Sequence, residues 1–151
     1  MDTIRPVVLV VLRHDGKLLV EEVYDKVNRR VYFRPLGGAI TFGEYSQSTV
    51  HRTIVDVLGA EVTNVNGLGM LESIFADGNG NPAHELVFVY TAEFIDPKFY
   101  HQQNIPAKEG LFNFEAVWVE MNTFRDGDYT LIPSGLLELI DEADSVPLPM
   151  L

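Results

Sequence analysis

The residues able to do chemistry gather between Gly38 and Ala60. Gly38, Glu44, Arg52 and Gly59 follow one another at intervals of six, eight and seven positions. On a helix, positions 53, 56, 57 and 60 share a face, because residues three or four apart stack one above the other. Carboxylates at 53, 56 and 57 would converge on a divalent cation, and such cations neutralise phosphate charge and position an attacking water. This chain has Thr53, Asp56 and Val57 there, so one acid of three is present. In the preceding loop, Glu44 can accept from Arg52 and hold loop to helix. Glycines at 37 and 38 let the backbone come close to a metal or phosphate, and a free carbonyl at Gly38 suits magnesium.

The spacing resembles the signature of the Nudix hydrolases. That signature reads glycine, five residues, glutamate, seven residues, then Arg-Glu-apolar-x-Glu-Glu-x-Gly-apolar. The second half here reads Arg52-Thr53-Ile54-Val55-Asp56-Val57-Leu58-Gly59-Ala60. The Asp15-Gly16 hairpin, the run Arg34-Pro35-Leu36-Gly37-Gly38 and the late strand from His84 to Tyr90 extend the resemblance over essentially the whole chain. Four anchors at fixed spacing in a strand–loop–helix context are far more specific than one glycine or one acid pair. The departures are Thr53 for the first glutamate, Asp56, shorter by a methylene, for the second, and Val57 for the third.

The resemblance implies an α+β fold of Nudix type, an α/β/α sandwich with a mixed sheet, a central Nudix helix and a C-terminal helix. It implies hydrolysis of the pyrophosphate bond in nucleoside diphosphate derivatives, assisted by Mg²⁺ or Mn²⁺ and weakened here by the missing carboxylates. A reduced metal set would be Asp56, Glu85 and the Gly38 carbonyl. The competing expectation is a non-catalytic module of the same fold that binds a nucleotide-like ligand or a protein partner, indifferent to magnesium. Nudix domains frequently pair, so a homodimer is a further expectation.

Each candidate has an ordinary reading beside the functional one. Glu44 and Arg52 read more readily as a bracing ion pair than as catalytic groups. Asp56 divides evenly between metal ligand and solvated helix residue. Glu85 is either a substitute ligand or base, or an outward strand charge, and Glu72 is a weaker candidate of the same kind. Thr53 can donate to a phosphate or bond an upstream carbonyl. Arg34 can meet a phosphate, with Phe33 or Tyr24 stacking on a base or sugar, or it is a surface arginine beside core aromatics. The four histidines have no ligand spacing.

These groups need elements to position them. Val7 to Leu12 reads as a strand buried on both faces, Asp15-Gly16 as a hairpin turn, and Leu18 to Tyr24 as the return strand. Val31 to Phe33 reads as a short strand that Pro35 to Gly38 breaks, with a loop from Ala39 to Tyr45. A helix is expected over Gln47–Leu58, capped by Ser46 or Ser48 and stopped by Gly59. Val62–Ala76 and Glu85–Phe94 read as strands around a tip at residues 77–82. Asp96–Leu111 reads as a long loop, Glu115–Val119 as a strand and Gly135–Glu142 as a helix.

Composition sets the outer bounds. The chain has 151 residues, a hydrophobic share of 46% and no cysteine, so one domain over 1–151 is expected, without disulfides or thiolate chemistry. Only the last few positions read as a tail. Eleven basic against 22 acidic residues give a net charge of −11, which opposes general nucleic-acid binding. No run is apolar for long enough to span a bilayer and the start shows no signal-peptide pattern, so no membrane association is expected and the cytoplasm is the default compartment.

Overall fold

The valine-rich run forms strand β1 (Ile4–Val11), and alternation along it sets the layers of the molecule. Val8 and Val10 point into one core, and Val7, Leu9 and Val11 into a second on the opposite face. The structure is a computed structural model that describes residues 2–145. The expected tail lies outside the described residues.

After β1 come β2 (Arg13–His14), β3 (Lys17–Asp25), β4 (Arg30–Ala39), α1 (Ser46–Leu58), β5 (Val62–Ala76) and β6 (Pro82–Phe94). A short 3₁₀ turn (Pro97–Tyr100), β7 (Asn104–Glu109), β8 (Phe112–Glu120), α2 (Met121–Arg125) and α3 (Leu136–Ser145) complete the order. The strands make one eight-stranded sheet in the order β5-β6-β1-β4-β3-β8-β7, with β2 on β3. Among the described residues β1 and β6 run parallel and the other strand pairs antiparallel, so the sheet is mixed. Val50 and Ile54 of α1 fill the first core, whereas Met121 and Phe124 of α2 and Leu136 and Ile140 of α3 fill the second. The layering is the expected α/β/α sandwich. Burying Val50 or Ile54 contributes roughly 1.5–3 kcal/mol each. Among the described residues no helix is long and apolar enough to cross a membrane.

The Asp15-Gly16 turn forms as expected, with φ of 49° and 75° at its two residues, the combination a tight hairpin requires. Gly59 stops α1 in the left-handed region at φ 67°, and its N–H bonds the Ile54 and Val55 carbonyls.

Three expectations change. Pro35 to Gly38 does not break the strand. Pro35 is the last residue of β4 paired with β3, and Leu36 is the first paired with β1, so the proline sits where the strand changes neighbours. Gly37 is required there, since a Cβ on it would lie 2.3 Å from the Val8 carbonyl oxygen. Second, neither serine caps α1. Tyr45 is the N-cap residue and makes no side-chain cap bond, while the Ser46 hydroxyl is bonded to the Tyr90 hydroxyl. Third, Asp96–Leu111 is not a loop throughout. It contains the 3₁₀ turn and β7, which pairs along its whole length with β8.

Candidate functional site

Loop 40–45 and α1 are tied together through one arginine. Arg52 Nε donates to Glu44 Oε2 and Arg52 Nη2 to Glu44 Oε1, both at 2.8 Å, which is the two-pronged geometry a guanidinium offers a carboxylate. The same Nη2 donates to the Ala39 carbonyl at 2.9 Å, so Arg52 also pins the end of β4. Thr49 donates its hydroxyl to Glu44 Oε1 at 2.7 Å. The bond from Arg52, then that from Thr49, holds the Glu44 carboxyl down at about 2. Glu44 raises the Arg52 pKa in return. The carboxylate also lies at the N-terminal end of α1, where the helix dipole favours negative charge. Thr49 was missed by sequence reading, although a threonine in the first turn beside a loop glutamate was a usable signal.

The positions that would carry the metal acids look different. Thr53 is buried at 2% exposure and faces Gly38, where a Cβ would come within 2.6 Å of its Oγ1. Among the described residues that hydroxyl has no hydrogen-bond partner. Asp56 is exposed and its neighbour is Arg52 Nη1 at 3.5 Å, at the limit of a hydrogen bond. Val57 is half-buried and packs against the first core.

Glu85 does not join them. Val87 and Val89 lie two and four residues along β6 in the core beneath α3, so Glu85 shares that face and points away from α1. Glu72 stands on the α1 side and is bonded to His84 Nε2 at 2.8 Å. Arg34 lies mid-strand in β4 and on the α1 side, but its Nη2 donates to its cross-strand neighbour Glu21 at 3.1 Å. Burial pushes the Glu21 carboxyl up despite that arginine. Phe33 is enclosed, stacked on Tyr129 at 4.6 Å between centroids with Phe124 edge-on at 6.0 Å, so it is core and offers a ligand no face. Tyr24 is exposed.

Magnesium and manganese take several oxygen ligands at once. Among the described residues no three His, Cys, Asp or Glu side chains are placed to share a metal ion. Asp56 is engaged with a fixed cation, Glu85 is across the sheet and the Thr53 hydroxyl is packed against Gly38. The residues present do not fit the metal set that the signature describes.

A cleft of about 670 Å³ opens elsewhere, beside the C-terminal ends of β1 and β6, lined among others by Arg13, His14, Asn64, Glu93 and Arg125. Gly38 pairs with Val8 in the middle of β1, and none of the residues lining the cleft belongs to loop 40–45 or to α1, so this cleft is not part of the loop–helix site. Its two arginines are already paired with α3 acids, Arg13 with Asp144 and Arg125 with Asp141.

No family model matches the sequence, and no curated protein matches it either. Solved structures do. A Nudix hydrolase from Nitrosomonas europaea superposes with a TM-score of 0.67 at 16% identity, over 95% of this chain and 90% of that one. The ORF135 protein of E. coli gives 0.61 at 18% identity, over 95% and 93%. An ADP compounds hydrolase gives 0.61 at 17%, over 93% of this chain and 73% of that one. The chain has the Nudix fold. Within that fold α1 is the Nudix helix, and the ties from Arg52 to Glu44 and Ala39 build its loop–helix junction.

Proposed function

We propose that the chain is a degenerate Nudix hydrolase, taking nucleoside diphosphate derivatives at the loop–helix site and hydrolysing their pyrophosphate bond only weakly. The observation that carries this is the contrast within α1. The arginine clamp that shapes the site is complete, and the acids that would hold a cation are reduced to Asp56. The fold supports the ligand class, and one structural neighbour is an ADP compounds hydrolase. Losing one well-placed interaction with the transition state costs roughly 3 kcal/mol, a hundredfold or more, so losing two carboxylates leaves little. The compartment we propose is the cytoplasm. Of the other candidates, Arg34 gives one nitrogen to Glu21, and its Nε, like the Thr53 hydroxyl, is buried without a partner among the described residues.

A second reading, a non-catalytic module that binds a nucleotide-like ligand or a protein partner, is favoured by the Arg52–Asp56 contact, since it occupies the last acid. One experiment separates them. Product release is followed from nucleoside triphosphates, sugar nucleotides, ADP-ribose and dinucleoside polyphosphates with Mg²⁺ or Mn²⁺, and binding of the same panel is measured in EDTA. Binding in EDTA together with slow, metal-stimulated turnover is expected. Binding without turnover selects the module. Turnover near the ~10 s⁻¹ typical of enzymes, abolished by Asp56→Ala, would show a rebuilt metal site and overturn the weakened reading. Failure to bind any member of the panel would remove the ligand class.

A further inference from the structure

The cleft at the carboxyl ends of β1 and β6 offers different chemistry on its two walls. Its volume of about 670 Å³ falls within the roughly 300–1,000 Å³ common for small-molecule sites. One wall is the start of β5 with the end of β6. A bulge between Thr63 and Asn66 sets Asn64 at φ 52°, a left-handed conformation that asparagine tolerates, and both Asn64 and Asn66 line the cleft. Asn64 Nδ2 donates to Glu93 Oε2 at 2.7 Å, and Asn66 Nδ2 donates to the Asn64 backbone carbonyl at 3.1 Å. Both partners only accept, so the unbonded end of each amide is its carbonyl oxygen. With Glu93 Oε1, this is a wall of acceptors. The hairpin wall donates. Arg13 gives Nη1 to Asp144 at 2.6 Å, which leaves Nε and Nη2, a fork that meets a carboxylate with two parallel bonds. Arg125 is fully engaged, with Nε and Nη2 on Asp141 and Nη1 on Asn122. At the base lie Val11, Ala92 and Met121, all buried and apolar. Among the described residues Glu93 is the acid of the cleft that meets no cation, since Asp144 has Arg13 and Asp15 stands 3.4 Å from His14 Nε2.

We infer that this cleft binds a free α-amino acid with an aliphatic side chain. An ammonium group has three N–H donors, and Asn64, Asn66 and Glu93 each present it with an acceptor. Glu93 then gains the opposite charge it lacks. The α-carboxylate takes the open fork of Arg13, and the side chain lies over Val11, Ala92 and Met121. A carboxylate without an amine leaves Glu93 facing a like charge, and an amine without a carboxylate leaves the Arg13 fork empty. A phosphate suits the cleft less, because it brings only negative charge to a chain of net charge −11. In open α/β sheets, crevices outside the carboxyl ends of parallel strands are a recurrent seat for ligands, and β1 and β6 are such a pair. Occupancy here is independent of the reaction proposed at the loop–helix site, since the two share no residue of loop 40–45 or α1.

The test is an NMR titration of the isotope-labelled chain with leucine, isocaproate and isoamylamine, the last two lacking the amine and the carboxylate in turn. Leucine should shift the amide signals of Asn64, Asn66, Thr91 and Glu93 saturably, and each analogue should bind at least ~10-fold more weakly. Glu93→Gln removes the charge that meets the ammonium, and Asn64→Gly removes an acceptor. Each should weaken leucine binding roughly tenfold or more. Both variants keep the fold, because Glu93 is exposed and glycine accepts the φ of position 64. The inference is overturned if no aliphatic amino acid gives saturable shifts. It is overturned equally if either analogue binds as tightly as leucine, or if both variants bind leucine as the wild type does.

Discussion

Within two turns of α1 the protein keeps one half of a motif and discards the other. Arg52 is held by two 2.8 Å bonds to Glu44 and one to Ala39, and Glu44 is further served by Thr49. Among the described residues, Thr53 and Val57, on the neighbouring face, make no polar contact that fixes them, and Asp56 contacts the same arginine. The first set positions a loop against a helix, whereas the second would position a cation. A fold needs only the first. The architecture can therefore persist whether or not a cation is held, and an intact motif skeleton indicates the fold more strongly than the reaction.

The largest effect should come from the backbone that carries the motif. Gly37→Ala puts a methyl group 2.3 Å from the Val8 carbonyl oxygen and 2.7 Å from Leu9 Cδ2, and a backbone atom cannot swing aside. We expect a loss of about 3 kcal/mol, at the upper end for overpacking. In urea this lowers the unfolding midpoint by roughly 1–3 M. An unchanged midpoint would mean that β1 and β4 are not so closely apposed.

Next in size is repair of the discarded half. In the pair Asp56→Glu and Val57→Glu, a longer acid replaces a short one on the exposed face of α1, and an acid replaces Val57, which is half-buried against the first core. If the proposed reaction is right, metal-stimulated turnover should rise about a hundredfold, with a lower unfolding midpoint because position 57 packs against the first core. Repair that binds metal but turns over nothing would separate the site from the reaction and favour the binding module.

The clamp itself should be visible in acid. Glu44 titrates at about 2 when folded against an ordinary value near 4.5. A depressed carboxyl contributes stability that is present above the ordinary value and lost as pH falls through the folded one. The wild type should therefore exceed Arg52→Gln in stability by a constant margin above about pH 4.5, and the margin should shrink to nothing by about pH 2. Unfolding followed by circular dichroism across that window checks it. A margin that persists at the acid end would place the contribution of Arg52 in its bond to Ala39 instead.

How much of this was legible follows the range of the signal. The Asp15-Gly16 turn, the Gly59 stop and the spacing of Val50 and Ile54 are local, and each formed as read. The clamp was readable for the same reason, being a spacing within one loop and one helix. Strand β4 was misread because Pro35 punctuates a strand only when its neighbours are unknown, and here it marks a change from β3 to β1. Strand β7 was hidden by its proline and short length, since an edge strand tolerates what a central one does not. Phe33 looked available because Tyr129 and Phe124, which enclose it, lie far along the chain. The side on which Glu85 stands was within reach: counting back from Val87 and Val89 places it opposite α1.

The smallest effect tests the discarded half in the other direction. The Thr53 hydroxyl is buried without a hydrogen-bond partner among the described residues, a state that normally costs free energy because water has been given up and nothing has replaced it. Valine has nearly the same shape and no such group. If position 53 now serves packing alone, Thr53→Val should be neutral or stabilising by up to about 1 kcal/mol, read as a small rise in unfolding midpoint. If it destabilises the free protein, the hydroxyl has a bond that the packing against Gly38 does not reveal. A third pattern is informative too. Unchanged stability with weakened nucleotide binding would mean that the hydroxyl is kept for the ligand's phosphate, and position 53 would then belong with the clamp rather than with what was lost.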